Sequence, residues 1–573
     1  MFRIALALFL FACSGHAAAL RVQLDVGSIE HPALPAPLTK LHFDCALVTS
    51  AKVLSCADGT LRAAVQDQTV EVKFDGRLQR NGDWQAKAKA KARAMTLSEL
   101  TGRYATDKLD FDLSAQIIAK AGHIDGKAQA ALPRGQIYIE PVFVDFGAAP
   151  ATLEATWKFG IAGGRLDVPQ FEIVQNGVMH IAGRATKVMT PRPEIELQIE
   201  DLLLAPVFTT YAQPFLASSR LEKLSLSGRA HGSVSLIAAS PTRIALQLEG
   251  AGLESESFST GLSGLDGSLA WQSQGEGAES RLHWTSGHVA DLKLGAAELR
   301  FRTSVRDVTL LAPLRIPLAG GALNIRQLAV QRAGQADMAA LFDAEIEPLD
   351  LPTLTRAFGW PEFGGQLGGR LPGLSLKDGE LTLSGALTAR AFDGEVTVDG
   401  LRVLDAFGRV PRVEADIRLR DLDLAAVTGA FSFGRIEGRL DGDVQDLRLL
   451  NWQPISFKAR LATPKDDESR HRISQRAIDN ISSIGGGPTG VLSRGALRFF
   501  KDFVYDRIGW SCVLAKGVCT MDGIEKARNG GYVLVKGRLV PRIDVVGYSR
   551  QVDWNTFIAQ LKDARNTDNI QVR

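Results

Sequence analysis

The sequence predicts a mainly β protein: an elongated, curled antiparallel sheet built from repeats, with a small helical insertion near the C-terminus. Two observations carry this expectation. From about Leu20 to Thr463 apolar and polar residues alternate with period 2, strand after strand, as in a sheet with one wet face. The stretch from Leu422 through Phe431, Gly438, Leu440 and Gly442 to Leu447 also repeats one 73 positions earlier, from Leu349 through Phe358, Gly365, Leu367 and Gly369 to Leu374. A weaker echo runs from Leu204-Ala-Pro-Val-Phe208 to Gly228 and Leu236. Self-similarity at a fixed period marks an architecture whose units bury their apolar faces by stacking on neighbours.

The strands follow in order. Thr69–Phe74, Leu109–Leu113, Glu194–Ile199, Arg243–Leu248, Glu298–Arg302 and Arg412–Leu419 each place Val, Ile, Leu or Phe on one face and Glu, Asp, Arg or Gln on the other. The apolar positions so defined are Val70, Val72 and Phe74; Ile195, Leu197 and Ile199; Leu246 and Leu248; Leu299 and Phe301; Val413, Ala415, Ile417 and Leu419. Turns are expected at Asp75-Gly76, Asn81-Gly82, Asp125-Gly126, Asp393-Gly394, Asp399-Gly400 and Asp441-Gly442, because Gly and Asp suit tight turns. Short helical pieces at Pro352–Phe358 and Ala425–Phe431 occupy matching places in the two repeats and cap their units.

The composition shifts at Pro464. Ile473, Ala477, Ile478, Ile481 and Ile484 form a helical stripe that ends at Gly485-Gly-Gly487. Thr489 would cap a second helix, with Leu492, Ala496, Phe499, Phe500, Phe503 and Val504 on its apolar face. Strands return at Trp510–Met521, Gly531–Leu539 and Arg542–Gly547, and a final amphipathic helix is expected from about Trp554 to Leu561. The expected organisation is therefore a signal segment at 1–19, a repeat β-groove at 20–463, a helical segment at 464–508, and strands with a short helix at 509–573.

A net charge of +2, 23% charged residues and 45% hydrophobic residues exclude a disordered chain. They offer nothing to nucleic acid. Met1-Phe-Arg3 and Ile4–Ala12 read as the basic and apolar parts of a signal peptide, with cleavage after Ala19; an alternative takes Leu10-Phe-Ala-Cys13 as a lipoprotein box with Cys13 lipidated. The remaining cysteines form two local pairs, Cys45/Cys56 and Cys512/Cys519, each on the arms of a hairpin. Disulfides so placed suit an oxidising compartment, and neither pair has the CxxC spacing or His partners of a zinc site.

No catalytic constellation emerges. The nine His residues are scattered, and Gly485-Gly-Gly-Pro-Thr-Gly490 lacks the Lys of a phosphate-binding loop. The run Lys87-Ala-Lys-Ala-Lys-Ala-Arg93 puts its cations on one strand face and alanines on the other, a solvated outer face without the aromatics that stack on nucleic-acid bases; contact with an anionic membrane is the minor alternative. No cofactor or metal is expected. The apolar stripe itself has two readings: a closed sandwich or barrel interior, or a sheet curled into an open trough that fits acyl chains.

Asp421 through Gly442, Leu447 to Pro454 and Phe457-Lys-Ala459 resemble the AsmA-like family. So do Ile473 to Gly487, Gly523-Ile-Glu525, Gly531 to Gly537, Gly547-Tyr548 and Val552-Asp-Trp554. The combination is most similar to the YdbH branch, relatives of TamB, over about 350–560. The resemblance implies a bridge-like lipid transfer protein of the Gram-negative periplasm, a β-taco whose apolar groove carries phospholipid between inner and outer membranes without enzymatic chemistry. A sheet too short to cross the envelope unaided is expected to meet a small envelope protein as partner at its C-terminal edge strand, by strand addition. If about 30 strands stack at roughly 4.8 Å each, the sheet spans ~140 Å. The alternative is an envelope scaffold or assembly factor for outer-membrane proteins, with a dry interior.

Overall fold

A computed structural model describes residues 19–559, apart from 30–36, 51, 67, 100, 220, 276, 334, 336, 360–363, 406–409, 431–432, 485–500, 528–529 and 541. Residues 1–18 of the expected signal segment with Cys13, the segment 485–500 and the residues beyond 559 lie outside these. Strands make up 69% and helices 9% of the described residues, so the protein is mainly β, and the strands join in antiparallel ladders. The chain packs as two units, the described residues of Met1–Ser257 with Asp266–Gln274, and those of Phe258–Leu265 with Gly275–Arg573.

In the first unit nearly every strand pairs with the next one in sequence, from Ala19–Ile29 against Leu38–Thr49 to Leu224–Ile237 against Ser240–Ser255. The exception is the four-residue strand Val142–Asp145. It covers only one end of His123–Ile139, whose other end pairs with Ala151–Gly160. At one lip of the sheet Met95, Leu109, Val144 and Phe146 form a small core against Tyr211. The Tyr211 hydroxyl donates to Gln175 Oε1 at 2.7 Å, which satisfies the buried amide.

The 73-residue repeat of the second unit is legible in the hydrogen-bond register. Ala340–Leu376, Phe342–Leu374, Ala344–Leu371, Ile346–Gly369 and Leu349–Leu367 face one another in the first copy. Val413–Leu449, Ala415–Leu447, Ile417–Val444, Leu419–Gly442 and Leu422–Leu440 do so in the second, with both register shifts at matching places. The helices Leu351–Ala357 and Leu424–Ala430 also match. Each is capped by an Asp side chain, Asp350 accepting from Thr353 N–H and Asp423 from Ala425 and Ala426 N–H, which satisfies donors left over in the first turn.

The weaker echo is structural too. Ile199–Gly232 and Leu202–Ala230 flank the same kind of shift around the helical turn Leu204–Val207. All three modules hold a glycine at φ between +88 and +143, Gly228, Gly365 and Gly438, four residues before the glycine that re-enters the ladder. A side chain at Gly438 would also overlap the Tyr505 hydroxyl.

Register elsewhere is fixed by a device that the Asp-Gly pairs conceal. Asn81-Gly82 and Asp393-Gly394 do lie at turns, but Asp75-Gly76, Asp125-Gly126, Asp399-Gly400 and Asp441-Gly442 lie inside strands, contrary to expectation. Two of these aspartates, Asp75 and Asp441, and five others clamp bulges. Seven residues at φ +51 to +57 (Asp58, Ala94, Lys187, Gly250, Arg332, Asp421 and Asp446) donate their N–H to the carboxylates of Asp75, Asp110, Asp167, Asp266, Asp307, Asp441 and Asp416. The extra residue of a bulge has no ladder partner for its N–H, and a carboxylate on the neighbouring strand supplies one. Since a one-residue slip would turn every side chain to the other face, these clamps hold the apolar set together.

The C-terminal part of the second unit is a closed core. Ile473, Ala477, Ile478, Tyr505, Cys512, Cys519, Met521 and Tyr532 are almost wholly buried. The helix Gln475–Ile484 turns Ala477, Ile478 and Ile481 of the expected stripe to the core, but Ile473 belongs to the short strand Arg472–Ser474 before it. The Ser474 hydroxyl caps the helix by accepting from Ala477 N–H at 3.3 Å. The expected second helix lies outside the described residues up to 500, and its end is a strand: Phe503 and Val504 belong to Asp502–Ala515 and pair with Ile473 and Arg472. The run Phe503-Val-Tyr505 buries alternate residues, and the strand partner at 472–474 decides in favour of period 2. Residues 554–559 are helical, with Phe557 against Trp510 and Trp554.

Candidate functional site

Residues directly opposite in an antiparallel pair share a face, so the registers trace each face from strand to strand. In the first unit one row reads Leu24, Phe43, Leu61, Val72, Ala90, Leu113, Ala130, Leu153, Ile173, Ile181, Ile199, Gly232 and Leu246. No charged or hydrogen-bonding side chain interrupts it. The parallel row Gly59, Phe74, Ala88, Ala115, Ala128, Ala155, Phe171, Gly183, Leu197, Val234 and Ile244 is equally apolar. Val70 opposite Ala63, Ile195 between Ala185 and Leu236, and Leu248 opposite Ala230 extend the same face. All eight positions singled out from this half of the sequence therefore lie on one surface.

Among the described residues that surface is only partly covered over much of its extent. Most of its large side chains are only half-buried, and Leu113 and Leu153 expose 38% and 41% of their area. The side chains vary in size along it. Small alanines line four consecutive strands, while Phe43 stacks on Phe74 at 5.4 Å and the Trp157 indole lies over Gly126, where a Cβ would overlap it.

The second unit repeats the arrangement. One row joins Thr303, Val308, Val330, Ala340, Leu376, Leu381, Val403, Val413 and Leu449. Another joins Leu387, Val398, Ile417, Val444, Ala459, Cys512 and Met521. Leu299 faces Leu282, and Phe301 faces Leu310 two positions from Thr303. Ala415 faces Leu447, and Leu419 lies between Val396 and Gly442. Burial deepens along the second row, from half-buried Val398, Ile417 and Val444 to Cys512 and Met521 at 0% and 1% exposure. The apolar face thus ends in the closed core.

The opposite face is polar and cross-linked by ion pairs. Arg62–Glu71, Arg184–Glu196, Arg281–Glu298, Arg315–Glu347 and Arg402–Glu380 bridge strands, and Arg418 pairs with Asp399. Hydrogen bonds from Arg315 and then Asn324 hold the Glu347 carboxyl at about 2. Lys87, Lys89 and Lys91 stand on this face with Ala86, Ala88 and Ala90 on the other, as the alternation predicts. Lys91 and Arg93 share Asp112.

Both disulfides form, Cys45–Cys56 and Cys512–Cys519, with Cα separations of 5.9 and 5.6 Å. Each bridges the two arms of one hairpin. Among the described residues no group of three or more His, Cys, Asp or Glu could hold a metal ion, and no helix is long and apolar enough to cross a membrane. A pocket of about 630 Å³ at Gln366, Arg390, Glu395 and Arg420 lies on the polar face, away from the apolar rows. Comparison of the chain with protein-family models, with curated proteins and with solved structures finds no match.

The lining residues that the sequence reading left out, among them Leu61, Leu113, Leu153, Ile173 and Ile181, carry the same period-2 signal as those it chose. What the sequence lacks is the register that sets them side by side.

Proposed function

We propose that the protein carries phospholipid along its apolar strand face, as a lipid conduit between the membranes of a Gram-negative envelope and not as an enzyme. The observation that carries this reading is the first row, in which apolar positions stay in register from Leu24 to Leu246 while Leu24, Leu113 and Leu153 are exposed and most of the other large side chains are only partly buried. A face built as a core would be covered; an apolar face left half open is energetically costly unless a ligand covers it. Acyl chains suit it because they need no hydrogen bonds. Each methylene contributes roughly 0.8 kcal/mol on burial, and the next strand offers an equivalent site, so a chain can move along the face at little net cost.

The resemblance to AsmA-like proteins supports the same reading, and the C-terminal edge strand would be the place for a small envelope protein as partner. The two disulfides fit a periplasmic setting. Transfer would need no cofactor.

The test is lipid extraction and mass spectrometry of the protein purified from bacterial periplasm, beside an Ile417→Asp variant. Phospholipid in several copies, reduced in the variant, is the expected result. A lipid-free protein of equal stability would refute the conduit and favour a scaffold for outer-membrane proteins.

A further inference from the structure

Two hairpins of the second unit end side by side. Asn451-Trp452 joins Arg439–Leu450 to Gln453–Ala462, and Lys516-Gly517 joins Asp502–Ala515 to Val518–Gly523. The pairing of Phe457 with Leu514 sets the two tips next to each other. Leu450, Trp452, Ile455, Val513 and Val518 are all exposed there, Trp452 by 68%. By register Leu450 faces Gln453 and Arg412, Val513 faces Lys458, and Val518 faces Ala515 and Asp553. These three therefore stand on the polar face, opposite the rows assigned to cargo. The same strands bury Leu514 and Cys519 on the other side, so the exposed set is not a shortage of core.

Four cations and one carboxylate, Asp553 opposite Val518, border this strip. Arg448 and Lys458 pair with Glu414 and Asp446, and Arg412 and Lys516 make no ion pair among the described residues. An indole at a tip, aliphatic side chains beside it and cations directly across from them match the layers of a bilayer interface. Trp sits at headgroup depth, aliphatic groups reach the acyl boundary, and Lys and Arg meet the phosphates. A protein partner fits less well, since five side chains on two tips fall short of the about 20–30 residues per side of a stable interface.

We propose that these two hairpin tips dock the second unit on a phospholipid bilayer surface, with Trp452 at the headgroup level. Leu450, Val513 and Val518 of this surface stand opposite the cargo face, so docking and lipid carriage stand or fall by different measurements.

The test is co-flotation of the purified protein with vesicles of phosphatidylethanolamine and phosphatidylglycerol, beside the variant Trp452→Ser/Ile455→Ser/Val513→Ser, its fold checked by circular dichroism. Wild type is expected to float and the variant to lose roughly tenfold or more in binding. Vesicles brominated near the acyl–headgroup boundary should quench wild-type fluorescence more than that of Trp452→Phe. A wild type that stays in the unbound fraction, a variant that floats equally, or quenching unchanged in Trp452→Phe overturns the proposal. So does a dimer that the triple substitution dissolves, which would make the strip a contact between copies. Lipid extracted from the variant reports on the cargo face independently.

Discussion

Replacing Asp467 by Asn should loosen the closed end of the second unit at neutral pH and matter progressively less in acid. The Asp467 side chain is 3% exposed. Its Oδ2 accepts from Arg439 N–H and from His471 Nε2, each at 2.8 Å, and its Oδ1 accepts from Ser469 N–H at 2.8 Å. The His471 ring stacks on Tyr505 at 4.8 Å, whose hydroxyl donates to Glu437 carbonyl oxygen at 2.5 Å. One carboxylate thus ties three segments of the core.

Burial alone would raise the Asp467 pKa, but hydrogen bonds from Ser469, His471 and Arg439 outweigh it and hold the group at about 2, against an ordinary 3.8. At ~1.4 kcal/mol per unit, that depression contributes roughly 2 kcal/mol to the folded state. Because the folded pKa is the lower one, the contribution is complete above about pH 4 and is lost as pH falls toward 2. Hydrogen exchange of the strand Asp502–Ala515 reads this locally: in Asp467→Asn it should quicken at pH 7, and its difference from wild type should shrink below pH 4. Equal exchange at pH 7, or a difference that persists at pH 2, would refute the role given to the carboxylate.

Other substitutions separate the remaining arguments. Gly438→Ala should destabilise by roughly 2–4 kcal/mol, through positive φ and overlap with the Tyr505 hydroxyl, whereas Gly517→Ala, with open space around it, should cost only about 1 kcal/mol; thermal melts compare them. Asp110→Ala should lower the melting temperature of the first unit, because Ala94 N–H and Arg134 lose their acceptor; an unchanged melt would deny the clamp its structural part. Replacing both Cys512 and Cys519 by Ser should cost roughly 2–3 kcal/mol for so short a loop, and in folded wild type the buried pair should resist reductant longer than Cys45–Cys56, as measured by alkylation and peptide mapping.

Much of the face was legible in the sequence because period 2 is the strongest signal a half-wet sheet gives. Thr69–Phe74 or Arg412–Leu419 needs no partner to declare which residues point together. The repeat was equally plain, and its 73-residue offset reappears in the pairing of Ala415 with Leu447 and of Phe342 with Leu374. Asp75-Gly76 and Asp441-Gly442 misled because the dipeptide that suits a turn also suits a clamped bulge. The difference lies in an N–H on the neighbouring strand, at Asp58 or Asp421. Phe503 and Val504 misled for the same reason. Helical spacing and strand alternation compete over a short apolar run, and the contact with Ile473 that settles it lies 30 residues away in the chain. Burial was the least legible quantity: Ile417 and Cys512 share a row, yet one is half-buried and the other wholly buried, because the closed core forms only where the last helices fold over.

The central claim is that lipid lies on one face and not on the other, and photo-crosslinking tests it most directly. A benzophenone side chain placed in turn at Ile417, Arg418, Val72 and Lys73, in cells fed radiolabelled phosphate, reports what touches each position. The account predicts labelled phospholipid adducts at Ile417 and Val72 and none at Arg418 and Lys73, their neighbours on the polar face. Adducts at all four positions, or at none, would contradict it.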